Sequence, residues 1–461
     1  MKRKVELDRM ARGLRRVARP ALTALALLTF AACVAPSVSP SVAPSSGSGA
    51  TSAATTSAAT ASAATASAAT ASAATATATP MATPTVAATP SHAPTAPGDS
   101  AWTGIHWTAG PTSNGLPAPV NTTDAAGNQT WTGTDAFGWS KGFVVFRTMG
   151  VMTANDVSKS IAIVPYVSAD GLTWTMGKPL DVTGLDAWED VAGLVEGPAG
   201  LLAYGHGQLA TCGGPTHYNK LWVSKDGLLW SPIDQTGFTY IDGGSSGYVA
   251  TDYSSSIWVS ADGAAWKAVN MATAGARGIL VDGVTAFAGG FVVAASVPVP
   301  AEGCGTTTAP RTPSLWWSQD GGAWTRDALS PALVGSQASA GVKRINDHAL
   351  LGIGTIWDKV ETSRAWTSTD GRVWTVDPDP QVLNNNLLTN GAYGLLVSNP
   401  ENGKVSVWGF RKDLRLVALT QAGDLPIAPL TDGDRPVLGS AGLLVSNADG
   451  TRFWVGTPTG S

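Results

Sequence analysis

The chain has 461 residues, of which only 13% are charged, with 53 Gly, 18 Trp and three Cys. Its formal net charge is −4, but residues 1–33 carry eight basic and two acidic side chains, so the remainder has 21 basic against 31 acidic ones, a net charge of −10. An acidic body is unsuited to gripping nucleic acid through its phosphates, and three Cys are too few for a disulfide scaffold.

The N-terminal segment reads as a targeting signal. Residues 1–19 are basic and residues 20–32 are apolar, a run too short to span a bilayer. The tetrapeptide at the end of this run, Phe30-Ala31-Ala32-Cys33, resembles a bacterial lipobox, which implies that Cys33 becomes the first mature residue and carries a lipid. The alternative is an ordinary cleaved signal peptide with an incidental Cys, and hence a secreted protein. Both interpretations predict an extracytoplasmic protein.

Residues 34–100 have the composition of a disordered stalk. Ala, Thr, Ser and Pro account for 57 of these 67 residues, and the segment contains no aromatic residue and a single charge, Asp99. Such a sequence cannot bury enough apolar surface to offset the entropy lost on ordering. We predict a spacer that separates the body from a membrane or wall, or else a tail without a spacing role.

The body, residues 101–461, contains every Trp of the chain and five copies of the pattern Ser-x-Asp-Gly-x-x-Trp. The copies begin with Ser168-Ala-Asp170, Ser224-Lys-Asp226, Ser260-Ala-Asp262, Ser318-Gln-Asp320 and Ser368-Thr-Asp370, and they end at Trp174, Trp230, Trp266, Trp324 and Trp374. Asp-Gly between β-rich runs predicts a two-residue hairpin turn. Such a turn would place the residue before each Ser opposite the Trp, as in the pair Val259/Trp266.

A second recurring element is a Gly followed by an aromatic or aliphatic β-rich run. It occurs at Gly142, Gly200, Gly247, Gly290, Gly394 and Gly442, with a degenerate copy at Asp347-His348-Ala349. Seven units with a mean step of 50 residues, built only from short strands, predict an all-β fold: a seven-bladed β-propeller of four-stranded antiparallel blades. The last unit lacks one strand, and residues 103–108 resemble that missing strand, so we expect the N-terminal strand to close the last blade.

The five Ser-x-Asp-Gly-x-x-Trp segments resemble the Asp-box, or BNR, repeats of sialidases and related propellers, shortened by one residue between Asp and Gly. The resemblance implies that the boxes lie away from the ligand face, with each Asp capping its own turn and each Trp packing between strands and blades. The sialidase signature Phe/Tyr-Arg-Ile-Pro is absent, and none of the seven Tyr forms a recognisable pair with a Glu. We therefore favour a non-catalytic protein, with no cofactor and no metal.

Two long loops between the second and third strands of their units, 205–220 and 297–314, each contain one Cys. We predict a disulfide between Cys212 and Cys304, since paired thiols outside the cytoplasm tend to oxidise; two free or separately buried thiols are the alternative. His206 and His217 share the first loop with Cys212, but their spacing matches no common zinc pattern.

The predicted recognition surface comprises four residues on these loops and on the corresponding loop of the fifth unit, 357–364: Tyr218, Arg311, Trp357 and Arg364. Aromatic and Arg side chains are enriched at binding hot spots. The alternative is an ordinary solvated loop.

These observations favour a lipid-anchored extracytoplasmic propeller that binds or scaffolds an unidentified protein or glycan at the cell surface, as a monomer and without nucleic acid. Two other functions stay open: a sialidase-like glycoside hydrolase, since two carboxylates can meet in space without a sequence motif, and an assembly factor for membrane protein complexes.

Overall fold

A computed structural model describes residues 102–459 except for 112–113, 154–157, 183–189, 206–219, 236, 253–255, 272–279, 298–311, 328–337, 358–360, 378, 380, 399–404, 427–435 and 448–449. The predicted signal peptide with Cys33 and the predicted stalk lie outside these residues. Within them the chain is built from β-strands, and its one α-helix, α1, is the single turn Gln381–Asn384. No helix of this part of the chain is long and apolar enough to cross a membrane.

In the described part of the chain, thirty strands form seven sheets. The N-terminal strand is β1 (Gly104–Ala109). Blade 1 contains β2 (Thr122–Thr123), β3 (Gln129–Trp139), β4 (Gly142–Met152), β5 (Ser158–Ser168) and β6 (Thr175–Met176). Blade 2 contains β7 (Val191–Gly197), β8 (Gly200–Gly205), β9 (Leu221–Ser224) and β10 (Ser231–Ile233). Blade 3 contains β11 (Tyr240–Gly244), β12 (Gly247–Thr251), β13 (Ser256–Ser260) and β14 (Lys267–Asn270).

The other blades follow the same order. Blade 4 contains β15 (Leu280–Phe287), β16 (Gly290–Val297), β17 (Thr312–Ser318) and β18 (Thr325–Asp327). Blade 5 contains β19 (Ala338–Asn346), β20 (Ala349–Trp357), β21 (Glu361–Ser368) and β22 (Thr375–Asp377). Blade 6 contains β23 (Asn386–Thr389), β24 (Gly394–Val397), β25 (Val407–Phe410) and β26 (Leu416–Ala418). The chain then forms β27 (Thr420–Gly423), β28 (Val437–Gly439), β29 (Gly442–Ser446) and β30 (Phe453–Thr459).

The blades close into a ring, which confirms the predicted seven-bladed propeller. The strands around the centre of the ring each contact their counterpart in the next blade, and the last contacts the first: β3, β7, β11, β15, β19, β23 and β28. In blade 1 the two-residue strand β2 pairs with the inner edge of β3. Seven hydrophobic clusters lie between successive blades and form the core. Six of the second strands begin at the predicted Gly residues and the seventh, β20, begins at Ala349.

Blade 7 is closed by the N-terminal strand, as predicted. β1 runs antiparallel to β30 in six-residue register, from Gly104 opposite Thr459 to Ala109 opposite Trp454. Its other edge carries β27, which pairs parallel to it from Thr420 to Gly423. This fifth strand was not predicted. It arises because the chain leaving blade 6 passes outside β1 before it enters blade 7, so that β1 has a partner on both edges.

The turns between first and second strands are joined to one another around the ring. The amide of Ser440 in blade 7 donates to the carbonyl of Trp139 in blade 1 at 3.1 Å. Ala288 N donates to Asp347 O at 2.8 Å, and Asp347 N donates to Gly391 O at 2.7 Å, which links blades 4, 5 and 6. These bonds align the blades at one face of the propeller. We call it the box face, because the Ser-x-Asp-Gly-x-x-Trp segments lie there too, and the opposite face the loop face.

Candidate functional site

The five boxes share one hydrogen-bonding geometry. In the third box, Asp262 Oδ1 accepts the backbone N–H of Ala264 at 2.9 Å and of Ala265 at 2.8 Å. The Ser260 hydroxyl donates to the same oxygen at 3.0 Å and accepts the N–H of Gly263 at 2.9 Å. The other four boxes repeat these four contacts at 2.7–3.3 Å. The box carboxylates are thus used inside their own turns.

The predicted two-residue turn was wrong. Val259 pairs with Lys267, the residue after the Trp, rather than with Trp266. The same one-residue difference holds in the other four boxes, with the pairs Val167/Thr175, Val223/Ser231, Trp317/Thr325 and Thr367/Thr375. The reason is that the Asp carboxylate accepts two successive N–H groups and so curls the chain into a wider loop that contains the whole motif.

The Trp of a box closes this loop from its far side. The indole Nε1–H of Trp230 donates to Gly227 O at 2.8 Å, and Trp266, Trp324 and Trp374 make the equivalent bond at 2.9–3.1 Å. Trp174 differs, because its buried indole nitrogen has no hydrogen-bond partner among the described residues. Its backbone N–H instead donates to Asn114 O at 3.0 Å.

Each box also packs its blade against the preceding one. Trp174 lies 5.3 Å from Phe453 of blade 7, and Trp230 lies 5.4 Å from Phe146 of blade 1, measured between ring centroids. The Gly of each box lies against side chains of the preceding blade, so close that a Cβ on Gly371 would stand 2.6 Å from Trp317 Cδ1. The sequence alone did not reveal this second role of the Gly, because contacts between blades are not encoded in one repeat.

Gly371→Ala is expected to destabilise the protein by about 3 kcal/mol. About 1 kcal/mol comes from the positive φ of +72° and about 2 kcal/mol from overpacking against Trp317. The Trp317 ring cannot easily move away, because the Arg372 guanidinium stacks on it with its central carbon 3.6 Å from the ring centroid. The matched control is Gly237→Ala, where φ is +87° and nothing lies within 4 Å of the new Cβ. In urea unfolding, Gly237→Ala should lower the free energy of unfolding by about a third as much as Gly371→Ala does. Equal decreases in the two variants would contradict the packing role of Gly371.

Hydrogen bonding keeps box carboxylates ionised. The N–H groups of Ala265 and Ala264 lower the pKa of Asp262, and those of Gly322 and Ala323 lower the pKa of Asp320. A carboxylate whose pKa is lower in the folded state contributes stability at neutral pH, and this contribution is lost as the pH falls through the folded-state pKa. These groups therefore act as fixed acceptors rather than as proton donors.

The loop face is uneven because the blades differ in strand length. β3, β4 and β5 of blade 1 have 11 residues each, whereas β12 and β13 of blade 3 have five. With the box-face turns aligned, strands six residues longer extend about 20 Å further. Near the projecting end of blade 1, Trp131 lies over Gly150, whose Cβ would stand 2.3 Å from the ring, and Met149 is 37% exposed. This projecting end of β3 and β4 was not predicted, although Trp131 in the sequence was a signal.

Of the four residues of the predicted recognition surface, Trp357 and Arg364 lie among the described residues. Arg364 lies within β21, opposite Gly354, and Trp357 is the last residue of β20, paired with Glu361. The loop predicted for 357–364 is therefore confined to 358–360, since both strands extend further than expected. Tyr218 and Arg311 lie outside the described residues, as do Cys212, Cys304, His206 and His217. The disulfide stays a prediction.

Two carboxylates on innermost strands tie blades together. Asp242 Oδ2 accepts Ala286 N of the next blade at 3.1 Å. Asp282 Oδ2 accepts Ala340 N at 3.2 Å and the hydroxyl of Ser296. Asp282 lies at a register shift in the pairing of β15 with β16, and such bulges redirect side chains. Neither acid could be assigned from sequence, because neither belongs to the repeated motif.

Arg344 of blade 5 faces Asp242 across the inner ring. Its Nη1 lies 2.8 Å from Asp347 Oδ1, and a Cβ on Gly244 of blade 3 would stand 2.7 Å from the same nitrogen. Burial raises the pKa of Asp242, and the positive charge of Arg344 opposes this shift. The guanidinium therefore compensates acids that belong to two blades, three and five.

Asp327 is a carboxylate with a perturbed titration. It ends β18, the outer strand of blade 4, and its Oδ2 is buried without a hydrogen-bond partner among the described residues. Burial, followed by the negative charge of Asp370, raises its pKa to about 6, against the opposing effect of Arg372. In the part of the chain that the structure describes, no group of three or more His, Cys, Asp or Glu is placed to hold a metal ion.

Asp327→Asn is expected to stabilise the protein by about 1 kcal/mol at pH 7.5, after allowance for solvent screening of a partly exposed group. Because the pKa of Asp327 is about 6 in the folded protein, above its ordinary value of 3.8, the folded state binds a proton at a higher pH than the unfolded state does. Wild-type stability therefore rises as the pH falls through about 6. The advantage of the variant should therefore vanish near pH 4. Denaturant unfolding at pH 7.5 and pH 4 measures the stability difference between the variant and the wild type. A difference that grows on acidification would contradict the raised pKa of Asp327.

Several solved structures resemble this chain at low sequence identity. No protein-family model matches the chain, and no curated protein matches it. YCF48 from Cyanidioschyzon merolae has 15% sequence identity and a TM-score of 0.35, covering 76% of this chain and 98% of that one. The N-terminal domain of Nup159 has 9% identity and a TM-score of 0.35, with 77% and 96% covered. The Hadza microbial sialidase Hz136 has 10% identity and a TM-score of 0.27, with 74% and 65% covered. Similarities at this level carry no information about what the chain binds.

Proposed function

We propose that the protein is an extracytoplasmic binding or scaffolding propeller, held at the cell envelope by a lipid on Cys33, which recognises a protein or glycan without a chemical step. The observation that carries this proposal is the use of all five box carboxylates as acceptors in their own turns. The repeated motif thus builds a rigid ring, and recognition falls to the parts that differ between blades.

The loop face offers the variation that recognition needs. The connections between second and third strands range from the three residues 358–360 in blade 5 to the 15 residues 206–220 in blade 2. The long strands β3 and β4 of blade 1 project at this face, where Trp131 on β3 is half-buried and Met149 on β4 is exposed. Aromatic and Met side chains are enriched at interfaces, so the projecting end of β3 and β4 is the described part of the proposed recognition surface.

The anchor is tested by comparing the full chain with its Cys33→Ala variant in a bacterial host fed an alkyne-bearing fatty acid. We expect the wild type to incorporate the label and to partition into detergent, and the variant to lose both properties. Incorporation that survives in Cys33→Ala would reject lipidation at this position. Absence of label from both chains would favour the secreted form.

The non-catalytic role is tested with a panel of fluorogenic glycosides on the purified full-length protein. We expect no turnover. Turnover that one loop carboxylate replacement abolishes would overturn the proposal in favour of a glycoside hydrolase. Cross-linking before detergent solubilisation, with and without glycosidase treatment, then separates the partner classes. A partner lost on glycosidase treatment indicates a glycan, and subunits of one membrane complex would indicate an assembly factor.

A further inference from the structure

We propose that a cleft on the box face, between blades 1 and 2, binds a compact anionic group, a carboxylate or a phosphate. The cleft has a volume of about 460 Å³ and is lined by Trp139, Lys141, Glu196, Lys225 and the turn 197–200. A volume of this size suits a small-molecule ligand. The site does not depend on the recognition proposed for the loop face.

The two lysines of the cleft are departures from the repeat. Among the seven turns that join first to second strands, Lys occurs only at 141. Among the five boxes, Lys occupies the second position only at 225, where the others have Ala, Gln or Thr. Neither lysine is needed to build a blade, since six turns and four boxes form without one. The fold nevertheless brings both to one junction.

The contacts within the cleft place the positive charge at its wall. Lys141 Nζ stands 5.2 Å from the centroid of the Trp139 ring and 3.5 Å from the carbonyl oxygen of Lys225. Both lysines are exposed. Among the residues that the structure describes, neither forms an ion pair with a carboxylate. Two ammonium groups at one cleft repel each other, and an anion between them relieves that repulsion.

The acid of the cleft is already engaged. Glu196 Oε2 accepts the backbone N–H of Ser140 at 2.8 Å, and its Oε1 accepts the Ser140 hydroxyl at 2.5 Å. These bonds hold the carboxylate against the turn of blade 1 and leave the cleft with a net charge of +1. A ligand with one compact anionic group matches that charge, and Lys binds such groups as a point charge.

The floor of the cleft is rigid. Tyr248 Oη donates to Gly200 O at 2.8 Å from the next blade, and a Cβ on Gly197 would stand 2.5 Å from the Tyr248 ring. Trp139 is 3% exposed and belongs to the core between blades 1 and 2. The walls therefore keep their spacing without a ligand, which limits the entropy that binding costs.

The proposal is tested by lysine acetylation of the full-length protein, followed residue by residue by mass spectrometry. Sodium phosphate or sodium glucuronate is compared with sodium chloride at equal ionic strength. We expect acetylation of Lys141 and Lys225 to slow about threefold when the anion is present at twice its Kd. Lys178 and Lys267, which are exposed and do not line the cleft, serve as matched controls and should not change. Protection by only one of the two salts identifies phosphate or carboxylate as the preferred group.

A second measurement, the thermal midpoint, tests anion binding without chemical modification of the lysines. The thermal midpoint of the wild type should rise in the protecting salt, whereas that of Lys141→Gln/Lys225→Gln should not, and Lys178→Gln/Lys267→Gln should behave as the wild type. Equal slowing at all four lysines, or a salt effect that persists in the cleft variant, would overturn the proposal. Absence of anion binding at the cleft would not contradict the proposed function, because that function is tested by Cys33 labelling and by glycoside turnover.

Discussion

Deleting residues 101–110 is expected to lower the thermal midpoint of the protein by about 10 °C or more, in a single cooperative transition. The deletion removes β1, whose Ile105 and Trp107 are each only 1% exposed. Loss of two such side chains costs at least about 5 kcal/mol, and a domain of this size loses about 2 °C per kcal/mol. It also opens the edges of β30 and β27, which pair only with β1 on those sides.

Calorimetry on the full chain provides the measurement, and a ten-residue deletion within the predicted stalk, 61–70, is the matched control. The control should melt like the wild type. If the β1 deletion does not fold, the variant Trp107→Ala provides the same test. It removes a buried ring whose Nε1 donates to Gln421 Oε1 at 3.0 Å, and it should cost about 4 kcal/mol. An unchanged melting curve for either variant would show that β1 does not close the ring.

Arg344→Met is expected to destabilise the protein by about 3 kcal/mol, because it leaves partly buried acids without their compensating charge. Arg344 has 10% side-chain exposure and bonds Asp347, while its charge also stabilises the ionised form of Asp242. In the variant the pKa of Asp242 should rise further, so the variant should recover stability as the pH falls. Urea unfolding across neutral and acidic pH measures both effects.

The double variant Asp242→Asn/Arg344→Met is the control for this interpretation. Removing both charges leaves no uncompensated ion on the inner ring, so it should recover much of the loss. A double variant as unstable as Arg344→Met alone would show that Arg344 acts through packing rather than through charge. Lys343→Met, at an exposed neighbouring position, should change stability by less than about 0.5 kcal/mol.

The blade count and the closure followed from the sequence because they depend on periodicity. Gly142 and its counterparts recur at a near-constant step, and the strand absent from the last unit left a gap that residues 103–108 matched. Periodicity does not determine how a turn is closed. The register of Val259 with Lys267 depends on the Asp262 carboxylate accepting two amides, a detail of side-chain geometry.

Features between blades were harder to predict than features within one. The electrostatic effect of Arg344 on Asp242 joins residues about a hundred positions apart that belong to no motif. The cleft beside Lys141 and Lys225 arises only because two separate departures from the repeat meet at one junction. The strand β27 depends on the path of a connection rather than on a β-rich sequence pattern. Such contacts need the assembled ring.

Because β1 pairs with a strand on each edge, its pairing also determines how the propeller responds to a tensile force applied at its N-terminal end. The ladder bonds lie across the strand axis, so tension along β1 loads its six pairs with β30 and its four pairs with β27 together, in shear, rather than unzipping them one at a time. Mechanical load entering through Thr103 is therefore shared by both neighbouring strands before it reaches the other blades.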